Sequence, residues 1–244
     1  MPGELGFRWR SALRWSAPAW KRVVDQRVVA ARLDAAGRAR LAHLATRFDL
    51  TTWSEHCSWP EWRESLYVLD VVSQVVPSTP EGRGLDVGAK NGCTLPGLAT
   101  ARPGGWDAVE LDAHRRYVWG TTRRAYGEAL AKAFPPCRFL AGDVREVTGR
   151  YACITWFLPF LTPAPLEAWG LPQRFLVPDE LLAHVASLLV PGGTLLVVNQ
   201  GEAEAALQQA CFERVGVRAQ ALGRVESALS PFVQPRFGFL VRQT

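Results

Sequence analysis

Lysine is scarce in this chain. Only Lys21, Lys90 and Lys132 contribute to its 28 basic side chains, so arginine carries nearly all of the positive charge. Cysteine is sparse as well: Cys57, Cys93, Cys137, Cys153 and Cys211 stand far apart, with no C-x-x-C pair and no histidines spaced to join them. That pattern argues against a metal site or a disulfide framework and for a reducing compartment. No apolar run approaches the roughly 18 residues that a membrane span needs. The opening residues carry charge and tryptophan where a secretory leader needs an unbroken apolar stretch, so a cytoplasmic location is expected. Neither an internal repeat nor a low-complexity tract is present.

What remains is a chain of 244 residues, 48% hydrophobic and 21% charged, long enough for one large domain or for a domain with an extension. Its formal charge of +5 is unevenly spread. Residues 1–48 hold ten basic side chains against three acids, a local charge of +7, which leaves the rest of the chain at −2. Within that basic fifth, Arg8, Arg10, Arg14, Lys21 and Arg22 alternate with Phe7, Trp9, Trp15 and Trp20. Cations interleaved with aromatics suit RNA or an anionic membrane surface, because guanidinium neutralises phosphate while indoles stack on bases or sit among headgroups. The same residues also suit an arginine-rich helical arm packed on its own domain.

Two zones follow from the patterning: a basic helical extension or cap over residues 1–76 and a core over 77–244. Apolar residues from Trp20 to Phe48 recur at helical offsets, with Gly37 expected to interrupt them. Asp49 to Pro60 reads as a loop. A second helix is expected from Glu61 to Val76, ending before Pro77. Beyond Gly84 the texture changes. Short apolar runs at Gly84–Val87, Ala108–Leu111, Arg138–Leu140, Cys153–Trp156 and Thr194–Val198 alternate with helical stretches around Leu95–Ala101, His114–Ala133 and Asp179–Leu189, the pattern of βαβ units. After a further helix at Glu202–Glu213, the runs Arg218–Ala228 and Arg236–Arg242 follow one another with no helix between, as an antiparallel pair would.

The chemistry concentrates where strands end. Gly84-Leu85-Asp86-Val87-Gly88-Ala89-Lys90-Asn91-Gly92 is a strand ending in an acid, then a tight glycine turn into a helix. Glycine there lets the backbone approach a ligand, and the helix offers free N–H groups. This segment resembles the first motif of the class I, Rossmann-like S-adenosylmethionine-dependent methyltransferases, with Lys90 replacing the middle glycine. Further segments resemble that family in its own order. Trp106 to Asp112 resembles the second strand, whose terminal acid, here Glu110 with Leu111 beside it, takes both ribose hydroxyls in the family. Asp112 reads as a helix cap. Gly142-Asp143-Val144 resembles the adenine-binding turn. Ala152 to Phe160, with Thr155 and Trp156, resembles the fourth strand, and Leu188 to Val198, with its Pro-Gly-Gly turn, the fifth. The resemblance covers roughly residues 82–244.

It implies an α/β fold: a doubly wound, mostly parallel seven-stranded sheet with an antiparallel last strand, preceded here by the helical extension. It also implies S-adenosylmethionine as cofactor, and an ammonium at Lys90 suited to the methionine carboxylate. A dinucleotide-dependent oxidoreductase shares the sheet, but Lys90 and Cys93 stand where its fingerprint carries the second and third small residues. The fourth motif reads Phe157-Leu158-Pro159-Phe160, without the polar residue of amine-methylating relatives, so Phe157 and Phe160 are candidates for an apolar substrate wall. Trp53 and His56, in the expected loop, are candidates for a cap over the substrate, whereas Trp62 and Tyr67 are expected to pack in the core. Glu202, just past the fifth strand, is the candidate base. His184 reads as structural. The resulting expectation is a methyltransferase acting on a small molecule. Two alternatives stand beside it: an RNA-binding or RNA-modifying enzyme gripped by the basic segment, or a cofactor-binding protein without catalysis.

Overall fold

The computed structural model describes residues 2–243. Its strands are β1 (Gly84–Val87), β2 (Trp106–Glu110), β3 (Arg138–Ala141), β4 (Tyr151–Phe157), β5 (Leu189–Gln200), β6 (Ala219–Arg224) and β7 (Arg236–Arg242). They form one sheet in the order β3-β2-β1-β4-β5-β7-β6. β1 to β5 are parallel, and β7 lies antiparallel between β5 and β6, in agreement with the expected topology. The Pro191-Gly192-Gly193 turn lies inside β5 instead of before it. Tyr151 pairs with Leu189 but Cys153 with Thr194, so β5 carries extra residues against β4 at this point.

Period-two alternation sends β-strand side chains to opposite faces, and both faces are covered by helices. Ile154, Leu195 and Val197 face α9 (Pro178–Ser187) and α10 (Gly201–Val215), where they meet Leu182, Val185 and Phe212. Cys153, Leu196 and Val198 face the other layer, built by α5 (Trp59–Val75) and α6 (Leu95–Ala101) through Tyr67, Val68, Val71 and Leu98. A third apolar cluster joins the N-terminal helices to this layer: Val29, Leu41, Leu44, Trp53 and Trp62 pack with Leu130 of α7 (Arg123–Ala133).

The N-terminal zone differs from its sequence pattern in three ways. The helix expected from Trp20 to Phe48 is two, α2 (Gln26–Ala31) and α3 (Ala35–Ala45), because Asp34 caps the second by accepting from the Gly37 N–H at 2.7 Å. Gly37 therefore lies inside a helix and not at its break. The Asp49–Pro60 loop contains a single helical turn, α4 (Trp53–His56), and α5 starts two residues early. The Ser58 N–H and hydroxyl both donate to Glu61 Oε2, at 2.6 and 2.7 Å, and Pro60 needs no N–H partner in the first turn. The opening residues form α1 (Pro2–Ala12).

Elsewhere, the helix expected from His114 begins only at Arg123. Residues 113–122 instead fold back on themselves, with an Arg116–Thr122 bridge and a Tyr117 N–H to Thr121 carbonyl bond of 2.9 Å. An additional helix, α8 (Pro163–Ala168), follows β4. Among the described residues no helix is long and apolar enough to cross a membrane.

Candidate functional site

The carboxyl ends of the parallel strands open on a cavity of about 370 Å³, a size common for small-molecule sites. Asp86, Gly88, Ala89, Lys90, Glu110, Leu111, Gly142, Asp143, Val144 and Trp156 line it, and Phe157 and Phe160 form its far wall. The sequence motifs thus converge on one space although they lie up to about 70 positions apart in the chain.

Each acid is held differently. Asp86, fully buried, accepts from the hydroxyls of Thr94 at 2.5 Å and Thr155 at 2.8 Å. Burial pushes its carboxyl up to about 6 despite those bonds. Glu110 ends β2 and accepts three bonds: the Lys90 N–H at 2.8 Å on Oε2, and the Asp112 N–H at 2.8 Å with Arg123 Nη1 at 3.2 Å on Oε1. A carboxylate offers about four lone-pair positions, so one on Oε2 is left. Of the two hydroxyl contacts expected at Glu110, one has an open acceptor position on Oε2, while Oε1 is engaged by Asp112 and Arg123. Burial raises the Glu110 carboxyl above its ordinary range, and Arg123 opposes that rise.

Asp143 lines the cavity while its carboxylate is clasped by Arg145 (2.6 Å at the shortest) and accepts the Arg145 N–H at 3.0 Å. Burial disfavours its charge, yet the Arg145 bonds hold the carboxyl below its usual range.

Lys90 occupies the left-handed region at φ 51°, which explains why glycine suits that position. Its side chain bonds Glu64 Oε2 at 3.0 Å, and Cys93 Sγ donates to the same oxygen at 3.2 Å. Burial pulls the ammonium down, but Cys93 and Glu64 leave it above its ordinary value. Leu158, at φ 58°, is the other non-glycine residue with positive φ among the described residues, and it too lines the cavity. Strained backbone after two neighbouring strands, β1 and β4, is typical of sites where ligands are positioned.

Several sequence candidates lie elsewhere. Asn91 and Gly92 are outside the cavity lining. Gly92 is needed because a Cβ would come within 3.1 Å of Gly127 Cα in α7, a packing constraint and not a ligand contact. Thr155 acts through Asp86 and does not touch the cavity. Trp53 is buried in the third cluster, its indole N–H 3.1 Å from Thr100 Oγ1, and His56 stands edge-on to Phe134 at 6.2 Å. Neither reaches the pocket: α4 packs on the end of α7, away from the strand ends. Glu202 is exposed on α10, one face away from the opening, whereas Glu204 lines it and accepts the Gln200 N–H at 2.9 Å. His184 meets the Val147 carbonyl at 3.2 Å, as a structural histidine would.

Asp112 caps no helix. It is a buried anchor, bonded to Arg10 Nε at 3.1 Å and to Arg115 at 2.6 Å. Arg10 also donates to the Gly170 carbonyl at 3.2 Å, and Arg115 to that of Trp169. Phe7 packs edge-on against Phe175 at 5.1 Å, and Glu4 pairs with Arg174. The segment carrying Pro165, Trp169, Leu171 and Phe175, which walls one side of the cavity, is thus braced by α1. Of the five cations singled out in the basic segment, Arg10 and Lys21 are committed to Asp112 and Glu61, while Arg8, Arg14 and Arg22 are exposed.

Sequence reasoning missed Glu64, Glu204, Phe232 and Arg236, which line the cavity together with Tyr67 and Gln200. Tyr67 was assigned to packing by helical spacing. Only register across β5 and β7, where Gln200 faces Arg236, brings the last two elements to the pocket.

No family model matches the chain, and no curated protein matches it in sequence. Solved structures do. The sheet order, the glycine turn and the acids at the ends of β1 and β2 define the fold of the class I S-adenosylmethionine-dependent methyltransferases, and the chain has that fold. A SAM-dependent methyltransferase from Aquifex aeolicus superposes with a TM-score of 0.52 at 15% identity, over 75% of this chain and 93% of that one. The [4+2]-cyclase SpnF also gives 0.52, at 14% identity, over 75% of this chain and 82% of its own. A fold shared with a protein named for cyclisation leaves the reaction to be argued from the site.

Proposed function

We propose that the chain binds S-adenosylmethionine in this cavity and transfers its methyl group to a small molecule. The observation that supports this most is the convergence of the Gly88 turn, Glu110 and Asp143 on one pocket that continues into an aromatic wall. A Cβ built on Gly88 meets no atom within 4 Å, and the residue has φ 74°, so the turn leaves an open cradle where a side chain would intrude. The free lone pair of Glu110 suits a ribose hydroxyl, and the turn at Gly142-Asp143-Val144 suits the edge of a base. The Lys90–Glu64 pair offers one charge of each sign to a zwitterionic amino-acid tail. If bound there, S-adenosylmethionine would supply an electrophilic methyl group on a positively charged sulfur.

The protein's part is position and exclusion of water. In this reading Trp156, Phe157 and Phe160 wall the acceptor end, and Glu204, which lines the cavity where Glu202 does not, would take a proton from an acceptor that must lose one. Calorimetry with S-adenosylhomocysteine tests the reading. Wild type is expected to bind, and Glu110→Ala to weaken binding about tenfold or more. Absence of binding to wild type would end the proposal.

A second reading, an RNA acceptor, is supported by the exposed Trp9, Trp15 and Trp20 beside Arg8, Arg14 and Arg22. In that case, changing these three arginines to glutamine should weaken RNA binding and flatten its salt dependence by roughly one counterion per lost contact.

A further inference from the structure

The described residues include two buried arginines, and they are treated differently by the fold. Arg123 has a carboxylate, Glu110. Arg236, 5% exposed at the start of β7, has none within ion-pair distance among the described residues. Its Nη1 donates to Gln200 Oε1 at 3.0 Å, its guanidinium lies 4.3 Å from the centre of the Phe232 ring, and its remaining donors have no protein acceptor. Burial lowers its pKa from the ordinary arginine value. A guanidinium keeps its charge even so, and Glu204, which favours that charge from beyond ion-pair distance, leaves its remaining N–H groups free for an anionic partner.

A second observation points into the same space. The Tyr67 hydroxyl is buried without a hydrogen-bond partner, and Tyr67 is one of the residues that line the cavity. Burial pushes the phenol up to about 12, so it remains a neutral O–H donor at physiological pH. The Tyr67 ring meets Phe157 at 6.3 Å and Phe232 at 5.3 Å, both edge-on, which places the hydroxyl within an apolar aromatic corner shared with Arg236. Glu204 lines the cavity too, but it is turned to the Gln200 N–H and makes no ion pair with Arg236.

Two donors without an acceptor, one cationic and one neutral, form half of an oxyanion site. We infer that the methyl acceptor carries a carboxylate gripped by Arg236 and Tyr67, on a flat apolar body that packs against Phe157 and Phe232. This deepens the methyl-transfer reading and rests on it. Hydrogen bonds from a guanidinium and a phenol hold the anion and lower its nucleophilicity, so it is the handle and the methyl goes to another atom of the acceptor.

The test uses the full chain and three matched pairs of probes: benzoate and benzamide, 3-phenylpropionate and 3-phenylpropionamide, indole-3-acetate and indole-3-acetamide. Each is titrated by calorimetry with and without saturating S-adenosylhomocysteine. At least one carboxylate is expected to bind about tenfold or more tightly than its amide, Arg236→Gln to abolish that preference, and Tyr67→Phe to reduce it about threefold or more. S-adenosylhomocysteine affinity, which also reports folding of each variant, should change less than about twofold. If Arg236→Gln does not fold, Arg236→Lys and Tyr67→Phe carry the comparison. Equal binding of acid and amide in every pair, or a preference that survives Arg236→Gln, overturns the inference. So does a large loss of S-adenosylhomocysteine affinity in a folded Arg236→Gln, which would assign the guanidinium to the cofactor tail. Failure of wild type to bind S-adenosylhomocysteine at all overturns the methyl-transfer reading itself and this inference with it.

Discussion

Arg123 Nη1 lies 3.2 Å from Glu110 Oε1, and both side chains are buried where Glu110 lines the cavity. The guanidinium also stacks 4.4 Å from the Trp169 ring, so one ion pair ties the end of β2 to the segment that walls the pocket. Breaking such a pair strands a buried charge, at a cost of about 3–5 kcal/mol. Arg123→Met should therefore lower the urea-unfolding free energy by an amount in that range. Adding Glu110→Gln should recover a good part of it, since the stranded charge is gone. A single-variant loss below about 1 kcal/mol would show that the pair is not holding the end of β2.

Asp86 sets a pH dependence of opposite sign to that of most carboxylates. Its folded value of about 6 lies above the ordinary 3.8, so the native state holds this proton more tightly than the unfolded chain. Ionising it is a cost fully present above pH 6, and stability from this group rises as pH falls from 6 toward 4. Asp86→Asn should be more stable than wild type at pH 7.5, by on the order of 2–3 kcal/mol, with the two converging near pH 4. Thermal unfolding across that range measures the difference.

Gly88 combines a left-handed backbone with an open cradle. Gly88→Val should cost about 1–2 kcal/mol of stability for the backbone conformation and, separately, weaken S-adenosylhomocysteine binding at least about tenfold by filling the cradle. Calorimetry on the folded variant separates the two effects. Unchanged affinity would remove the turn from the site.

Trp53 and His56 should leave ligand binding alone. Trp53→Ala opens the third core cluster and is expected to destabilise by about 3–5 kcal/mol with S-adenosylhomocysteine affinity intact in the folded fraction. His56→Ala, at a half-exposed position, should shift stability by less than about 0.5 kcal/mol. A selective loss of affinity in either variant would restore α4 to the site.

Helix ends show where sequence reading stopped being sufficient. Asp34 and Ser58 are capping residues in the sequence, yet helical periodicity alone runs across the first and starts too late at the second. Capping depends on which N–H the side chain meets, and that is local geometry. The stretch 113–122 contains no proline, but Gly120 has φ 88° and Thr122 caps α7 by accepting from the Ala125 N–H at 3.1 Å. It is also held open by partners about a hundred positions away: the Arg116 guanidinium donates to the Leu13 and Trp15 carbonyls at 2.5 and 2.6 Å, and the Thr122 N–H donates to Ser16 Oγ at 2.9 Å.

The mostly parallel sheet and the loops at Gly88, Glu110 and Asp143 were legible because each motif is contiguous: a short apolar run, an acid or glycine at its end, a helix start after it. Their chemistry is written within a few residues, and parallel βαβ connection brings such ends to one edge of the sheet. The opposite half of the pocket has no such local signature. Tyr67 sits at ordinary core spacing on a helix, Glu204 differs from Glu202 only by its face of α10, and Arg236 is one arginine among many near the end of the chain. What selects them is the register of β7 against β5, the side of α10 turned to the sheet, and the distance of each side chain from any compensating charge. Those are properties of packed elements and not of neighbouring residues. The scarcity of lysine left arginine to carry nearly every charge, and only the tertiary structure decided that Arg123 would be answered by a carboxylate and Arg236 left open to the cavity.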